Sequence, residues 1–325
     1  MATTRAIRIH ETGGPEVLRW EEVEVGEPGP GQVLLEHSAI GLNFIDTYHR
    51  SGLYPMGLPG VLGREAAGTV TAVGEGVEGI TVGQRAAYPM VAGSYAERRL
   101  IDADLLVPLP DGIEERTAAA MMLKGLTAHY LLRRTYEVKP GETILFHAAA
   151  GGVGLIACQW ARHLGATVIG TVGSPEKAEL AKAHGCHHTI LYREENFVER
   201  VRELTDGAGV PVVYDSVGKD TFEGSLDCLS PRGLLVSFGQ ASGAIPPFSI
   251  NILAGKGSLF VTRPTLATFI ARREDLRAAA AELFERVLAG DIRIQVPQTY
   301  PLAEAERAHR DLEGRRTSGS TVLVP

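Results

Sequence analysis

The sequence predicts an α/β protein with two domains, one built from short β-strands and one from a doubly wound parallel sheet. Two patterns predict this. Up to about residue 115, short strand-like segments alternate with Gly- and Pro-rich turns. After residue 140, short apolar runs alternate with helical segments, as is typical of a parallel sheet covered by helices. The length of 325 residues also favours two domains.

The composition is that of a globular protein, with 44% hydrophobic and 22% charged residues. The net charge of −7 argues against a basic nucleic-acid surface. Glycines and Pro246–Pro247 interrupt the two long uncharged stretches, and the first residues lack a signal-peptide core, so we expect no membrane span. Cys158, Cys186 and Cys228 include no close pair, which predicts buried, reduced thiols in a soluble cytoplasmic protein.

The first part of the chain reads as a β-barrel-like module. Residues 33–40 form a strand-like run, and 68–74 alternate β-branched residues before a turn. The C-terminal part predicts a helix over 275–289 and a strand over 320–324. The apolar face of that helix comprises Leu276, Leu283, Val287 and Leu288. This tail has too little apolar material for a core of its own, so we expect it to return and complete the first domain.

The middle of the chain predicts the parallel sheet. Its buried strands are expected at 143–147, 167–172, 189–192, 212–215 and 234–238. Helices are expected over 176–184 and 197–204, and another directly after Gly154. The apolar stripe of the helix after Gly154 comprises Ala157, Trp160, Ala161 and Leu164, at helical spacing.

Residues 148–154, AAAGGVG, lie between a predicted strand and a predicted helix. A glycine-rich motif in this context is typical of dinucleotide binding. Gly152 lets the backbone approach a diphosphate, and the amides of Gly152 and Val153 meet it at the positive end of the helix dipole. Gly151 and Gly154 complete the motif.

The end of the second predicted strand indicates which dinucleotide binds. A site selective for NAD usually has Asp or Glu there, whereas this strand ends with Gly173 and Ser174. Glu176 follows in the first turn of the next helix, where it can act as a simple helix charge. Ser174 can donate to a 2′-phosphate, Lys177 can neutralise it, and Tyr192 lies on the neighbouring strand. The sequence therefore predicts NADPH.

Four motifs together carry a family resemblance over essentially the whole chain. They are GLNFIDTY at 41–48, GREAAG followed by Gly74 at 63–74, the glycine motif at 148–154, and Arg315-x-x-x-Gly319. The chain resembles the zinc-free quinone oxidoreductase (zeta-crystallin-like) branch of the medium-chain dehydrogenases/reductases. The resemblance implies a GroES-like β-barrel catalytic domain at 1–125, a Rossmann NADPH-binding domain at 126–265, and a segment 266–325 that completes the catalytic domain.

The chain departs from the zinc-dependent members of that superfamily at both metal-ligand positions. Asn43 stands in place of a Cys ligand and Arg64 in place of a His ligand, and residues 88–95 lack the cysteines of the structural zinc lobe. Because neither Asn nor Arg supplies the N or S ligand that zinc needs, we expect no metal site. Without a Lewis acid, the hydride acceptor must already be electron-poor, as quinones and conjugated enones are.

The catalytic candidates cluster in the first domain. Tyr48 and Tyr54, predicted in the loop after a strand, can donate a hydrogen bond to the acceptor, with Asn43 and Asp46 nearby. The resemblance implies that Asn43 also lines the nicotinamide. It further implies cofactor contacts at Tyr130, Ser216, Val217, Phe238, Gly239, Arg263 and Arg315.

The expected activity is NADPH:quinone reduction, with a small-molecule quinone as partner. Two alternatives stay open: an NADPH-dependent reductase of α,β-unsaturated carbonyls, and a crystallin-like protein that binds NADPH without turnover. Residues 258–262 form an apolar run that can pair with its twin across a sheet edge, so a homodimer is also expected.

Overall fold

The computed structural model describes residues 2–325, which divide into two compact units. Unit 1 comprises the chain up to Leu126 together with Ile270–Leu288 and Ile294–Pro325, and unit 2 comprises Thr127–Phe269 and Ala289–Arg293. Within residues 2–325, no helix has both the length and the apolar character needed to cross a membrane.

Unit 1 is built mainly from antiparallel strands. One sheet has three strands in the order β2-β1-β4. The second has seven strands, in the order β15-β16-β3-β5-β6-β8 with β7 paired to β3, where β15 (Gln298–Pro301) and β16 (Thr321–Val324) come from the C-terminal segment. The elements up to the end of the second helix are β1 (Thr3–Ile9), β2 (Arg19–Glu24), β3 (Gln32–Leu42), α1 (Phe44–Arg50), β4 (Gly60–Val61), β5 (Glu65–Val73), β6 (Arg85–Pro89), β7 (Arg98–Asp102), β8 (Val107–Pro108) and α2 (Glu115–Tyr130). The core of this unit includes Ile7, Leu35 and Ile40, all at most 2% exposed.

Unit 2 contains a six-stranded sheet in the order β11-β10-β9-β12-β13-β14. Every strand pair in this sheet is parallel, which confirms the predicted doubly wound sheet. Its elements are β9 (Thr143–Phe146), α3 (Gly152–His163), β10 (Thr167–Val172), α4 (Pro175–Ala183), β11 (His188–Leu191), α5 (Phe197–Leu204), β12 (Val210–Asp215), α6 (Phe222–Cys228), β13 (Leu229–Ser237), α7 (Asn251–Gly255), β14 (Phe260–Thr262) and α8 (Leu266–Phe269).

The C-terminal segment adds strands to the seven-stranded sheet of unit 1. Its elements are α9 (Arg273–Leu288), β15 (Gln298–Pro301), α10 (Ala305–Glu313) and β16 (Thr321–Val324). β16 pairs antiparallel with β3, and β15 pairs parallel with β16. The last residues of the chain therefore share a sheet with the strand that leads into α1.

The structure corrects the predicted apolar face of α9. Leu276 and Leu283 are buried as predicted, and so is Phe284, but Leu288 is 51% exposed and Val287 only partly buried. Leu288 is the last residue of the helix, beyond the part that packs on the core. Helical spacing alone does not show at which residue a helix ceases to pack against the core.

Candidate active site

The glycine turn of unit 2 begins where β9 ends and leads into α3. Ala148 has a positive φ of 54°, and Gly151 is the N-cap residue of the helix. A Cβ atom on Gly154 would lie 2.4 Å from the carbonyl oxygen of Ala148, so only glycine allows the helix to pack this closely on the turn. The first amides of a helix have no intrahelical acceptor. The turn thus fits an anionic diphosphate.

The end of β10 brings together the residues predicted to select NADPH. Ser174 is the N-cap residue of α4, and its Oγ accepts from the backbone amide of Lys177 at 3.4 Å. A Cβ atom on Gly173 would lie 2.9 Å from the hydroxyl of Tyr192, so these two residues approach closely. The Ser174 hydroxyl also bonds the carboxylate of Glu176 and lowers its pKa. Glu176 therefore contacts Ser174, a residue predicted to bind the 2′-phosphate. The sequence did not reveal this contact.

The carboxyl ends of β12 and β13 hold a second group of predicted cofactor residues. Gly239 approaches Ser216 so closely that a Cβ atom on it would lie 2.7 Å from the Ser216 carbonyl oxygen. The amide of Phe238 donates to the carbonyl of Asp215 at 2.8 Å, and Val217 donates to the Asp215 carboxylate at 2.7 Å. The structure thus gathers Ser216, Val217, Phe238 and Gly239 at one sheet edge.

Arg263 and Tyr130 also belong to unit 2. Arg263 follows β14, and its Nη1 donates to the carbonyl oxygen of Ser237 at 3.1 Å. Tyr130 stacks on Phe269 with ring centroids 4.6 Å apart, and burial raises its pKa. Arg315 differs: its side chain is exposed in the turn after α10 in unit 1.

A buried hydrogen-bond chain links the glycine turn to the end of β12, and sequence reasoning missed it. The Asp215 carboxylate accepts from the Ser225 hydroxyl at 2.9 Å. The Ser225 oxygen is 3.0 Å from His147 Nε2, and His147 Nδ1 is 2.9 Å from the Thr171 hydroxyl. Because the Ser225 proton goes to the carboxylate, His147 Nε2 must donate and Nδ1 must accept. The Thr171 oxygen then accepts from the amide of Ala148 at 3.4 Å.

The catalytic candidates of unit 1 lie at helix α1. The prediction of a loop for Tyr48 was wrong, because residues 44–50 are helical. Asn43 is the N-cap residue, and its backbone amide donates to Asp46 Oδ2 at 2.9 Å in a capping box. Tyr48 lies in the same helix, and the Tyr54 amide donates to its carbonyl at 3.0 Å.

Glu65 anchors the side chain of Asn43. It is fully buried, and its Oε1 accepts from Asn43 Nδ2 at 2.8 Å and from Lys124 Nζ at 2.8 Å. Its Oε2 accepts from the amide of Leu123 at 2.7 Å. A buried carboxylate is tolerated only when it is paired and hydrogen-bonded in this way. Lys124 and Glu65 are therefore linked to the candidate residue Asn43, and sequence reasoning missed both.

Asp46 lies at the end of a second buried chain. Tyr95 donates to Asp46 Oδ2 at 2.9 Å, and the Tyr95 oxygen is 3.1 Å from His309 Nε2. His309 Nδ1 lies 3.0 Å from Arg50 Nη1. Since a guanidinium only donates, Nδ1 must accept and Nε2 must donate to Tyr95. Burial raises the pKa of Asp46 to about 7, although the bonds from Asn43 and Tyr95 oppose that shift.

The two predicted tyrosines form an aromatic cluster with His49. The rings of Tyr48 and Tyr54 lie edge to face with centroids 5.3 Å apart, and those of His49 and Tyr54 are 5.7 Å apart. His49 Nε2 is 2.7 Å from Arg64 Nη2. Because the guanidinium donates, His49 is a neutral acceptor, and burial lowers its pKa.

Neither metal-ligand position fits zinc. The amide nitrogen of Asn43 donates to Glu65, and Arg64 offers only N–H donors. Across residues 2–325, His, Cys, Asp and Glu side chains form no group of three or more that could hold a metal ion.

Comparisons with known proteins identify the family. Residues 29–111 match the alcohol dehydrogenase GroES-like domain, and residues 152–286 match the zinc-binding dehydrogenase family. The chain is 58% identical to a quinone oxidoreductase of Pseudomonas aeruginosa over 323 residues, 99% of each chain. It is 50% identical to a 2-haloacrylate reductase of a Burkholderia species over 325 residues, 98% of each.

A solved structure agrees with both sequence matches. The crystal structure of Escherichia coli quinone oxidoreductase complexed with NADPH matches with a TM-score of 0.97 at 53% identity, and all of each chain is covered. These matches confirm the predicted GroES-like and Rossmann architecture. The chain belongs to the medium-chain dehydrogenases/reductases, in their quinone oxidoreductase branch.

Proposed function

We propose that this protein catalyses the reduction of quinones by NADPH, without a metal ion. The observation that carries the proposal is the end of β10, where Ser174 and Lys177 stand in place of the carboxylate that would hold NAD. The quinone oxidoreductase relatives at high identity, one of them solved with NADPH, support the same reaction.

The residues of unit 2 fit this coenzyme. The amides of Gly152 and Val153 would hold the diphosphate, and Ser174, Lys177 and Tyr192 the 2′-phosphate. Bound NADPH would supply the hydride for the reaction. We assign cofactor binding to residues 126–265, and catalysis to residues 1–125 completed by 266–325.

The residues of unit 1 would bind the acceptor. Tyr48 and Tyr54 would donate hydrogen bonds to the acceptor, and their paired rings form an aromatic cluster suited to a planar ring. Asn43, held by Glu65, supplies an oriented polar group at the start of α1. With no Lewis acid to polarise a carbonyl, these groups serve an acceptor that is already electron-poor, as a quinone is. One hydride and one proton convert the quinone to its hydroquinone.

An acceptor panel tests the proposal. NADPH oxidation is followed with 1,4-benzoquinone, a naphthoquinone and a conjugated enone at matched concentrations. We expect the quinones to have the higher kcat/KM. A higher value for the enone would instead indicate a reductase of α,β-unsaturated carbonyls, the class of reaction that the 2-haloacrylate reductase relative represents by name. NADPH binding without oxidation by any acceptor would indicate a binding protein.

We also propose a homodimer in the cytoplasm. β14 is an edge strand of the six-stranded sheet. Phe260 on this strand is 59% exposed, and Ile250 in the same unit is 75% exposed. Exposed apolar side chains on a sheet edge favour pairing with a second copy. The three cysteines are free and buried, as in proteins of reducing compartments.

A further inference from the structure

Arg64 is held in a defined place by its backbone. It follows Gly63, whose positive φ of 89° places the chain so close to Tyr95 that a Cβ atom would lie 2.2 Å from the ring. The carbonyl of Arg64 accepts from the amide of Val91 at 3.2 Å. The turn before β5 therefore presents this side chain from a fixed position.

Among residues 2–325, the guanidinium of Arg64 has no anionic partner in hydrogen-bond contact. Its Nη2 donates to neutral His49 at 2.7 Å, and its Nη1 lies 3.5 Å from the carbonyl of Met90. In the described part of the chain, neither bond reaches a carboxylate. Asp46 is near enough to act on Arg64 through its charge, but no hydrogen bond joins the two side chains. Oδ2 of Asp46 accepts from Asn43 and Tyr95, and its Oδ1 has no hydrogen-bond partner among residues 2–325.

The side chain is partly buried, so its charge is incompletely solvated. A guanidinium has five N–H donors in a planar fork that matches a carboxylate. The N–H groups of Arg64 that do not point to His49 or Met90 can therefore donate hydrogen bonds to an anionic ligand. Such a ligand would form an ion pair with the partly buried guanidinium.

The aromatic side chains near Arg64 indicate that the anionic ligand also carries a ring. His49, its hydrogen-bond partner, packs edge to face against Tyr54, and Tyr54 packs against Tyr48. The cation thus borders the aromatic cluster that is predicted to contact the acceptor ring. A planar ring on the tyrosines with a carboxylate on Arg64 satisfies both surfaces at once.

We propose that Arg64 binds a carboxylate on the quinone acceptor and so selects ring acceptors that carry an anionic group. This inference rests on the proposed quinone reduction and names its substrate class. The hydride and proton go to the quinone, while the carboxylate is unchanged by the reaction.

The test compares two acceptors and two charge-removing variants. Carboxy-1,4-benzoquinone and its methyl ester are assayed with the wild-type enzyme, Arg64→Gln and Arg19→Gln. Arg19 is exposed on β2, so Arg19→Gln matches the change in net charge away from the site. We expect Arg64→Gln to lower kcat/KM for the carboxylate by about 10-fold or more, and for the ester by less than about 3-fold. Arg19→Gln should change neither value.

A binding measurement makes the test independent of turnover. Titration calorimetry measures the dissociation constant of 2,5-dihydroxybenzoate, the reduced form of carboxy-1,4-benzoquinone, from the NADP-loaded protein. We expect the Arg64→Gln variant to bind the dihydroxybenzoate about 10-fold more weakly than the wild type does. Arg64→Lys should weaken binding by less, because lysine keeps the positive charge but loses the two-pronged guanidinium. Thermal unfolding checks that each variant is folded.

Equal losses for acid and ester in Arg64→Gln, or unchanged binding of the dihydroxybenzoate, would overturn the role of Arg64. If the ester is still reduced in that case, quinone reduction stands without it. If the wild type reduces neither acceptor, the proposed function fails. The calorimetric measurement then decides on its own whether Arg64 binds a carboxylate.

Discussion

At the scale of single residues, Asp46 is the side chain whose ionisation the structure controls most closely. It is 1% exposed, and burial raises its pKa to about 7. Its Oδ2 accepts from Asn43 and Tyr95, whereas Oδ1 has no hydrogen-bond partner among residues 2–325. A carboxyl group with this pKa changes its charge near neutral pH.

We therefore predict that the pH profile of quinone reduction contains an ionisation near pH 7 that belongs to Asp46. Tyr95→Phe removes a hydrogen bond to the carboxylate. Because that bond favours the charged form, its loss should move the ionisation to higher pH. Asp46→Asn should abolish it. A profile of kcat against pH that is the same in wild type and Tyr95→Phe would contradict this assignment.

The charges at the start of α4 make a second prediction. Lys177→Met should weaken the binding of NADPH relative to that of NADH by roughly 10-fold, because the 2′-phosphate loses a neighbouring cation. Glu176→Gln should shift the preference the other way, because it removes a carboxylate that bonds the predicted phosphate ligand Ser174. Lys182→Met, on the same helix in an exposed pair with Glu179, is the control.

Dissociation constants of both coenzymes, from fluorescence titration, check this prediction. Unchanged discrimination in Lys177→Met would remove that lysine from the 2′-phosphate site.

At the scale of secondary-structure elements, hydrogen bonds join three strand ends of the parallel sheet. His147 follows β9, Thr171 lies in β10 and Asp215 ends β12. One end of this chain bonds the glycine turn, and the other holds the amides of Val217 and Gly218 at 2.7 and 3.1 Å. Both ends carry backbone predicted to contact the coenzyme. The chain therefore fixes two parts of one binding edge in a single arrangement.

Thr171→Val keeps the shape of the side chain but removes both hydrogen bonds of its hydroxyl. We predict an increase in the NADPH dissociation constant of about 3- to 10-fold, as expected for one or two lost buried bonds, with little change in kcat. Thr171→Ser should restore binding. A variant that lowers thermal stability but binds NADPH like the wild type would show that the chain is structural only.

Sequence reasoning found five of the six strands of the parallel sheet, because each of them depends on local pattern. Helix 197–204 was predicted with the bounds that the structure shows, and the apolar runs gave the strands. It missed α1, because a helix of 7 residues is too short to show a sustained apolar period. The Asn43 and Asp46 capping box was the available signal.

Partners distant in the sequence could not be predicted in the same way. Tyr95 and His309 are 214 positions apart, and His147 and Ser225 are 78 apart. Their bonds depend on the strand pairings that bring them together. Nothing in the local sequence around His309 or Ser225 indicates a polar partner.

At the scale of the whole molecule, the exposed edge of β14 predicts the state of association. Phe260→Lys places a charge on an apolar edge strand, which opposes pairing with a second copy. We expect the wild type to sediment as a dimer at micromolar concentration and Phe260→Lys as a monomer with an intact circular dichroism spectrum. Val82→Lys, at a 60% exposed position in unit 1, is the control. A monomeric wild type would contradict the dimer.

The most direct test of the account is the steady-state oxidation of NADPH and NADH by 1,4-benzoquinone, after exhaustive dialysis against a chelator. The donor sets at Asn43 and Arg64 and the phosphate-binding end of β10 predict undiminished turnover, with kcat/KM at least about 10-fold higher for NADPH. Activity that disappears on chelation and returns with zinc, or a preference for NADH, would contradict it.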